Sequence, residues 1–335
     1  MPSSIDPEEA KRFLEEQDKK YGVNNSDDSI EVEKQEPQKV TSLGKAQSHL
    51  TMTEMSAVAE SPWKLLSMDA LPSGGLFYPK GAEILLRSAK TKEIRHWSTI
   101  DEFDPVDVRE KINFILSSCT KFKIKGNPTP LNFNDFLEID KYHILFRIYE
   151  LTFPNQENKL WAYIKCSNTQ CNHVNQTQVT SKNLIGFKYP GELMKWYSEE
   201  ERCFVVPSEK LGETLRFFIP TIGMKNRFRQ KRRKEEQDGI PSDEAFYKHG
   251  PYLLNDWRRA DNDTLSELKM SSISWSENKF LVIHKFTDLL DKDNLNKAAS
   301  VCEKCKTQTE SHIFLGGSFT VKDIFIISAG LDELI

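Results

Sequence analysis

Two cysteine pairs set far apart restrict what this chain can fold into more than any other feature. Cys166 and Cys171 stand in Lys165-Cys-Ser-Asn-Thr-Gln-Cys-Asn-His, and Cys302 and Cys305 in Val301-Cys-Glu-Lys-Cys-Lys. A C-x4-C turn and a C-x2-C turn each offer two thiolates from one bend. Four thiolates complete the closed tetrahedral shell that structural zinc prefers, with Zn–S bonds of about 2.3 Å. One zinc per chain held by Cys166, Cys171, Cys302 and Cys305 would tie residues beyond 300 back to the middle of the chain.

The flanking residues predict strands. Trp161-Ala-Tyr-Ile-Lys enters the first turn and Gln178-Val-Thr follows it, while His312-Ile-Phe-Leu leaves the second. Both turns therefore read as β-hairpins with the metal at the bend, a zinc ribbon split by a long insertion. The bland alternative is two unrelated cysteine pairs. A disulfide framework does not suit a chain this long with six cysteines and no secretory pattern at its N-terminus. His173 and His312 lie beside the turns, where a ring can replace a thiolate but more commonly stays outside the metal shell. Cys119 continues an apolar helical face and Cys203 opens the run Cys-Phe-Val-Val, so both read as core residues.

At 335 residues the chain has room for two domains and a tail, and its net charge of −4 gives no global reason to expect nucleic acid or an anionic membrane as partner. No apolar run approaches the roughly 18 residues of a membrane helix. A reducing cytosol is the expected compartment, and it favours zinc thiolates over disulfides.

The expected fold class is α+β: small mixed domains, the split zinc-ribbon-like hairpin pair, and an N-terminal arm that is disordered or ordered by a partner. Residues 1–62 form the arm. In it Asp6 can cap a short helix carrying Phe13 and Leu14, and the stretch from Gly22 to Glu60 is polar. If the arm docks on a partner, Phe13, Leu14 and Tyr21 are its anchors. Residues 63–185 form an α+β body with the first hairpin. Its signals are the turn-rich Leu71-Pro-Ser-Gly-Gly-Leu-Phe-Tyr-Pro, a strand at Glu83-Ile-Leu-Leu-Arg and a short helix from Thr91. A longer helix follows, with Asp104 as cap and Pro105 in its first turn, and then a helix from Lys141 to Glu150 with Ile139, Tyr142, Leu145, Phe146 and Tyr149 on one side. Residues 186–335 hold a strand pair at 203–207 and 214–219, helices over 222–237, 242–249, 264–270 and 276–290, and the second hairpin.

Catalytic motifs are missing. There is no phosphate loop, dinucleotide turn, H-E-x-x-H or nucleophile elbow. His96, His143 and His284 fall in helices near apolar residues, where a satisfied core histidine is commoner than a base. Glu199-Glu200 and Glu235-Glu236 sit in charged sequence that reads as surface. A four-thiolate zinc leaves no position for water, so the expectation is a protein that is not an enzyme. The strongest local charge is Lys225-Asn-Arg-Phe-Arg-Gln-Lys-Arg-Arg-Lys. On a helix these cations spread around the circumference. They suit a solvated helix balanced by Glu235, Glu236 and Asp238, or docking on an acidic protein. A zinc-ribbon nucleic-acid-binding protein using residues 225–234 is the alternative reading, with no aromatic platform to support it.

Taken in order, Leu71-Pro-Ser-Gly-Gly-Leu-Phe-Tyr-Pro, Leu85-Leu-Arg, Thr91-Lys-Glu-Ile, Asn113-Phe-Ile-Leu-Ser-Ser-Cys119, Lys141-Tyr-His-Ile-Leu-Phe-Arg147 and the turn from Cys166 to His173 resemble the T-even-like bacteriophage baseplate hub and hub-assembly proteins. The resemblance covers residues 63–185 and, more loosely, the Cys302-x-x-Cys305 hairpin. It leaves out the arm and the basic run, and the first cysteine turn carries two residues more than that family's C-x-x-C. It implies a non-enzymatic late protein that builds a contractile tail. Its implied partners are other tail and baseplate hub proteins, with the tape-measure protein a further one, and no membrane. Its implied place is the host cytoplasm during assembly or the virion tail baseplate.

Overall fold

The computed structural model describes residues 62–154, 160–184, 191–292, 297–312 and 320–325. Residues 1–61 of the N-terminal arm lie outside these residues, as do Ile313, Phe314 and Leu315 of the strand expected to leave the second turn. Residues 60–335 group as one compact unit of mixed helix and strand.

The first sheet is a four-stranded antiparallel meander of β1 (Lys64–Leu66), β2 (Ala82–Leu86), β3 (Thr120–Ile124) and β4 (Asn127–Leu131). Alternation sets its register. Leu66 faces Ile84 and Ile84 faces Phe122, all three buried, while Lys121 and Lys123 point outward from β3. Pro128 and Pro130 fall in β4, which lies at the sheet edge, where a missing N–H costs no ladder bond.

Against this sheet pack α1 (Thr91–Trp97), α2 (Pro105–Cys119) and α3 (Lys141–Thr152). Asp104 caps α2 as its sequence predicts, its carboxylate accepting from Val106 N at 2.8 Å. Helix α3 departs from the expected single apolar side. His143, Ile144, Leu145, Phe146, Ile148 and Tyr149 are all buried, whereas Tyr142 is half-buried. The cause is that α3 is covered both by α2 and by a 3-10 turn at Lys322–Phe325. His143 is buried with Nε2 unpartnered among the described residues, and burial pushes its pKa down to about 4. It is a neutral core ring rather than a fully satisfied one.

The entry segment is pinned to α3 by a buried acid. Asp140, fully buried, accepts from Ser73 N at 2.8 Å, Ser73 Oγ at 2.7 Å and Tyr78 Oη at 2.9 Å. Burial raises its pKa from 3.8 to about 6, and the Ser73 and Tyr78 hydrogen bonds only partly oppose that rise. Between those values the folded chain keeps a proton that the unfolded chain has lost. Asp140's contribution to stability is therefore complete below pH 3.8 and gone above about pH 6. Each pKa unit is about 1.4 kcal/mol, so the loss is on the order of 3 kcal/mol. Asp140→Asn removes this titration. The stability of the natural chain relative to that variant, read from urea unfolding, is expected to fall by about 2.4 kcal/mol from pH 4 to pH 7. A relative stability that stays level or grows over that range contradicts the assignment.

The later part of the chain adds a three-stranded sheet of β7 (Tyr197–Ser198), β8 (Cys203–Ser208) and β9 (Glu213–Phe217), preceded by the short α4 (Gly191–Met194). Four helices follow: α5 (Ile222–Gln237), α6 (Glu244–His249), α7 (Asn262–Ile273) and α8 (Glu277–Lys292). One hydrophobic cluster runs through both parts, from Leu66 and Trp97 to Phe217, Phe286 and Phe325. A smaller cluster of Met224, Phe228, Phe246, Ala260 and Leu265 lies under α5. Gly223 at the start of α5 allows the Trp257 ring to lie where a Cβ would come within 2.6 Å of it. Cys119 and Cys203 are fully buried, and burial pushes their thiols up to about 12 and about 11.

Candidate metal centre

Two hairpins carry the paired cysteines: β5 (Trp161–Lys165) with β6 (Val174–Gln178), and β10 (Lys297–Val301) with β11 (Gln308–His312). Alternation again decides which face is inward. Leu160, Ala162, Ile164 and Val179 are buried, while Trp161, Tyr163 and Val174 face out. The first hairpin is fastened to α3 by Glu150, which accepts from Ser181 N at 2.7 Å and Ser181 Oγ at 2.9 Å.

The hairpins are also fastened to each other. Glu303 N donates to Asn175 Oδ1 at 3.0 Å, Thr177 Oγ1 donates to Ser300 Oγ at 2.7 Å, and Ala299 N donates to Asn183 O at 3.0 Å. Asn175, buried, turns its amide to Ile164 O at 3.3 Å, so one side chain spans both hairpins.

This docking brings together all four cysteines singled out by spacing. Cys166 Sγ lies 3.5 Å from Cys305 Sγ, Cys171 Sγ lies 3.8 Å from Cys302 Sγ, and the four sulfurs are within 4.8 Å of one another. A tetrahedron of bonds about 2.3 Å long has edges of about 3.8 Å, the spacing of four thiolates around one ion. A disulfide needs sulfurs about 2.05 Å apart, and all six cysteines are free thiols.

The two bends share a backbone plan despite their different lengths. In each, the first cysteine's N–H donates to the carbonyl two residues past the second: Cys166 N to His173 O at 2.8 Å, and Cys302 N to Thr307 O at 2.9 Å. In each, the residue after the second cysteine has a positive φ, 49° at Asn172 and 62° at Lys306. The two extra residues of the first bend are absorbed in a small turn in which Cys171 N donates to Asn168 O at 3.0 Å. His173 thus contributes its carbonyl to the bend, and its ring is not among the clustered ligands.

The second bend favours thiolate. Thr307, whose Oγ1 lies 3.2 Å from Cys305 Sγ, holds that thiol down at about 6 through its hydroxyl and its amide, and the amides of Cys305 and Lys304 lower Cys302. Burial pushes Cys166 up to about 12 instead, and Cys171 is also raised. Sequence reading missed Thr307 and Asn175. Thr307 stands two residues past Cys305, where the bend's plan places a partner, whereas nothing local marks Asn175.

The basic run forms α5, with its cations largely partnered. Lys231 Nζ is 2.6 Å from Ser266 Oγ and 3.5 Å from Glu235. Arg232 pairs with Glu236 at 2.9 Å and Glu244 at 2.6 Å, and Arg229 with Glu138 at 3.6 Å. Lys225 and Arg227 lie over the Tyr252 and Trp257 rings. Glu235 is not at the surface, as its charged surroundings suggest, but 6% exposed. Burial alone would raise its pKa, yet hydrogen bonds from Lys269 and Tyr247, with the charges of Lys269 and Lys231, hold it below the usual carboxylate range. Arg233 and Lys234 are exposed.

Compared with known proteins, the chain matches no family model, no curated protein and no solved structure. Among the described residues no helix is long and apolar enough to cross a membrane.

Proposed function

We propose that this is a non-enzymatic structural or assembly protein of a phage tail baseplate hub, and that its four-cysteine centre holds one structural zinc ion. The observation that carries the metal role is the sulfur spacing of 3.5 and 3.8 Å among four thiols. A centre closed by four thiolates has no position for water or substrate, so it serves the fold. Thiolate ligands in tetrahedral array favour zinc over the hard cations, which take oxygen.

The tail role is supported by the order of motifs over residues 63–185. Two of those motifs come together, since Ser73 and Tyr78 of the first donate to Asp140, the residue just before Lys141. The rival nucleic-acid reading has less support, because Arg229, Lys231 and Arg232 on α5 are ion-paired within the chain and Lys225 and Arg227 lie over aromatic rings.

Mass spectrometry of purified particles beside the infected-cell lysate tests this reading. Presence in the particle makes the chain a virion subunit, and association with tail proteins in the lysate alone makes it an assembly factor. Association with neither, together with DNA or RNA binding that weakens log-linearly with salt, would overturn it in favour of phosphate recognition.

A further inference from the structure

A second group of side chains with the chemistry to hold a metal ion lies on α6 and α8, separate from the cysteine cluster. His249 ends α6, and His284 and Asp288 stand one turn apart on α8; a ligand atom from each lies within 4.8 Å of the others. The hydrogen bonds around the two rings fix what faces the gap between them.

His249 Nδ1 lies 2.5 Å from Thr287 Oγ1, and the Thr287 hydroxyl donates its own proton within α8, to Ile283 O at 2.8 Å. Nδ1 is therefore the donor, and in the neutral ring Nε2 carries the lone pair. His284 Nε2 lies 3.3 Å from Asp288 Oδ2, and a carboxylate accepts, so Nε2 is the donor and Nδ1 carries the lone pair. Those two lone-pair nitrogens, His249 Nε2 and His284 Nδ1, face each other at 3.1 Å. Facing lone pairs repel unless a cation sits between them.

We propose that His249 Nε2 and His284 Nδ1 bind a divalent transition-metal ion, with Thr287 and Asp288 fixing the two rings from behind. Two nitrogens bonded to zinc at about 2.0–2.1 Å in tetrahedral geometry are about 3.3–3.4 Å apart, close to the spacing present. A carboxylate behind a ligating imidazole sets its tautomer and raises its basicity. Asp288 is itself held by Lys248 Nζ at 2.6 Å, which keeps its other oxygen directed at His284. His249 is buried and His284 is 39% exposed, so the ion has one wall of protein and an open side. Water, or a donor side chain from a partner, completes its shell. The site is independent of the cysteine centre and of the tail-assembly reading.

Cobalt(II) titration of the full chain, zinc-loaded at the cysteines, tests the proposal. One equivalent is expected to bind with weak visible bands and without the intense sulfur-to-cobalt charge transfer of thiolate ligation. His284→Ala, at a half-exposed position, should abolish it, and Asp288→Asn should weaken it about 10- to 100-fold. Phe280→Leu, which changes a ring stacked near His284 but no donor, should leave it intact. The proposal is overturned by no cobalt uptake, by uptake unchanged in His284→Ala, or by a thiolate-type spectrum that places the ion at the cysteines. A proton shared between the rings in place of a metal gives the first of these results.

Discussion

Cys302→Ser is expected to abolish tight zinc binding and to lower the free energy of unfolding by about 5 kcal/mol. Cys171 and Cys302 are 131 residues apart and Cys166 and Cys305 139 apart, so a metal held by these four thiols would close a long loop. A metal that binds only the folded chain would stabilise it by its binding free energy, about 4 kcal/mol when free at 1,000 times its Kd and more at higher excess, which sets the scale of the expected loss. Beyond the metal the hairpins are held by a few hydrogen bonds and by the burial of Ala162, Ile164 and Ala298 in the main cluster. Each is a single pair of five-residue strands, and two-stranded hairpins are marginal in water on their own. Chelation should therefore mimic the substitution in the natural chain and add nothing in Cys302→Ser. Urea unfolding with and without chelator reads both effects. A variant that keeps its metal, or a natural chain indifferent to chelation, contradicts them.

Trp97→Ala should cost about 3–5 kcal/mol, in the range of aromatic truncations in a packed core. The Trp97 ring is fully buried and meets Phe325 edge-on at 5.1 Å, and its Nε1 donates to Lys322 O at 3.0 Å across 225 residues. This contact is a second tie between the late residues and the body, made by packing rather than metal. Trp97→Phe keeps an aromatic ring but deletes the donor, and is expected to cost about 1–2 kcal/mol. Hydrogen exchange over residues 320–325 should quicken strongly in Trp97→Ala and slightly in Trp97→Phe. Equal costs for the two variants would show that the ring's packing is not what holds the turn.

Legibility in the sequence follows the range of each interaction. Local signals were sufficient for α2, whose Asp104-Pro105 start is a cap and first turn, and for α5, which spans 222–237 as its pattern predicts. The cysteine turns were legible because metal chemistry constrains spacing within a few residues. What stayed hidden is set by partners far along the chain. Asp140 looks like any acid before a helix until Ser73, 67 residues earlier, is brought to it. Glu235 sits among charges and is nevertheless buried, because Tyr247 and Lys269 close over it. His249 and His284 are 35 residues apart, and no spacing rule joins them. Lys306 adopts a backbone conformation that favours glycine, so residue type alone did not mark the bend.

The proposed zinc, bound tetrahedrally by four thiolates, would staple the two hairpins together. Elemental analysis of freshly reduced, soluble protein, dialysed against a weak chelator, measures it most directly. One zinc per chain in the natural protein and none in Cys302→Ser is the predicted result. A natural chain that is folded and soluble yet retains no zinc would rule out a structural zinc at the four cysteines.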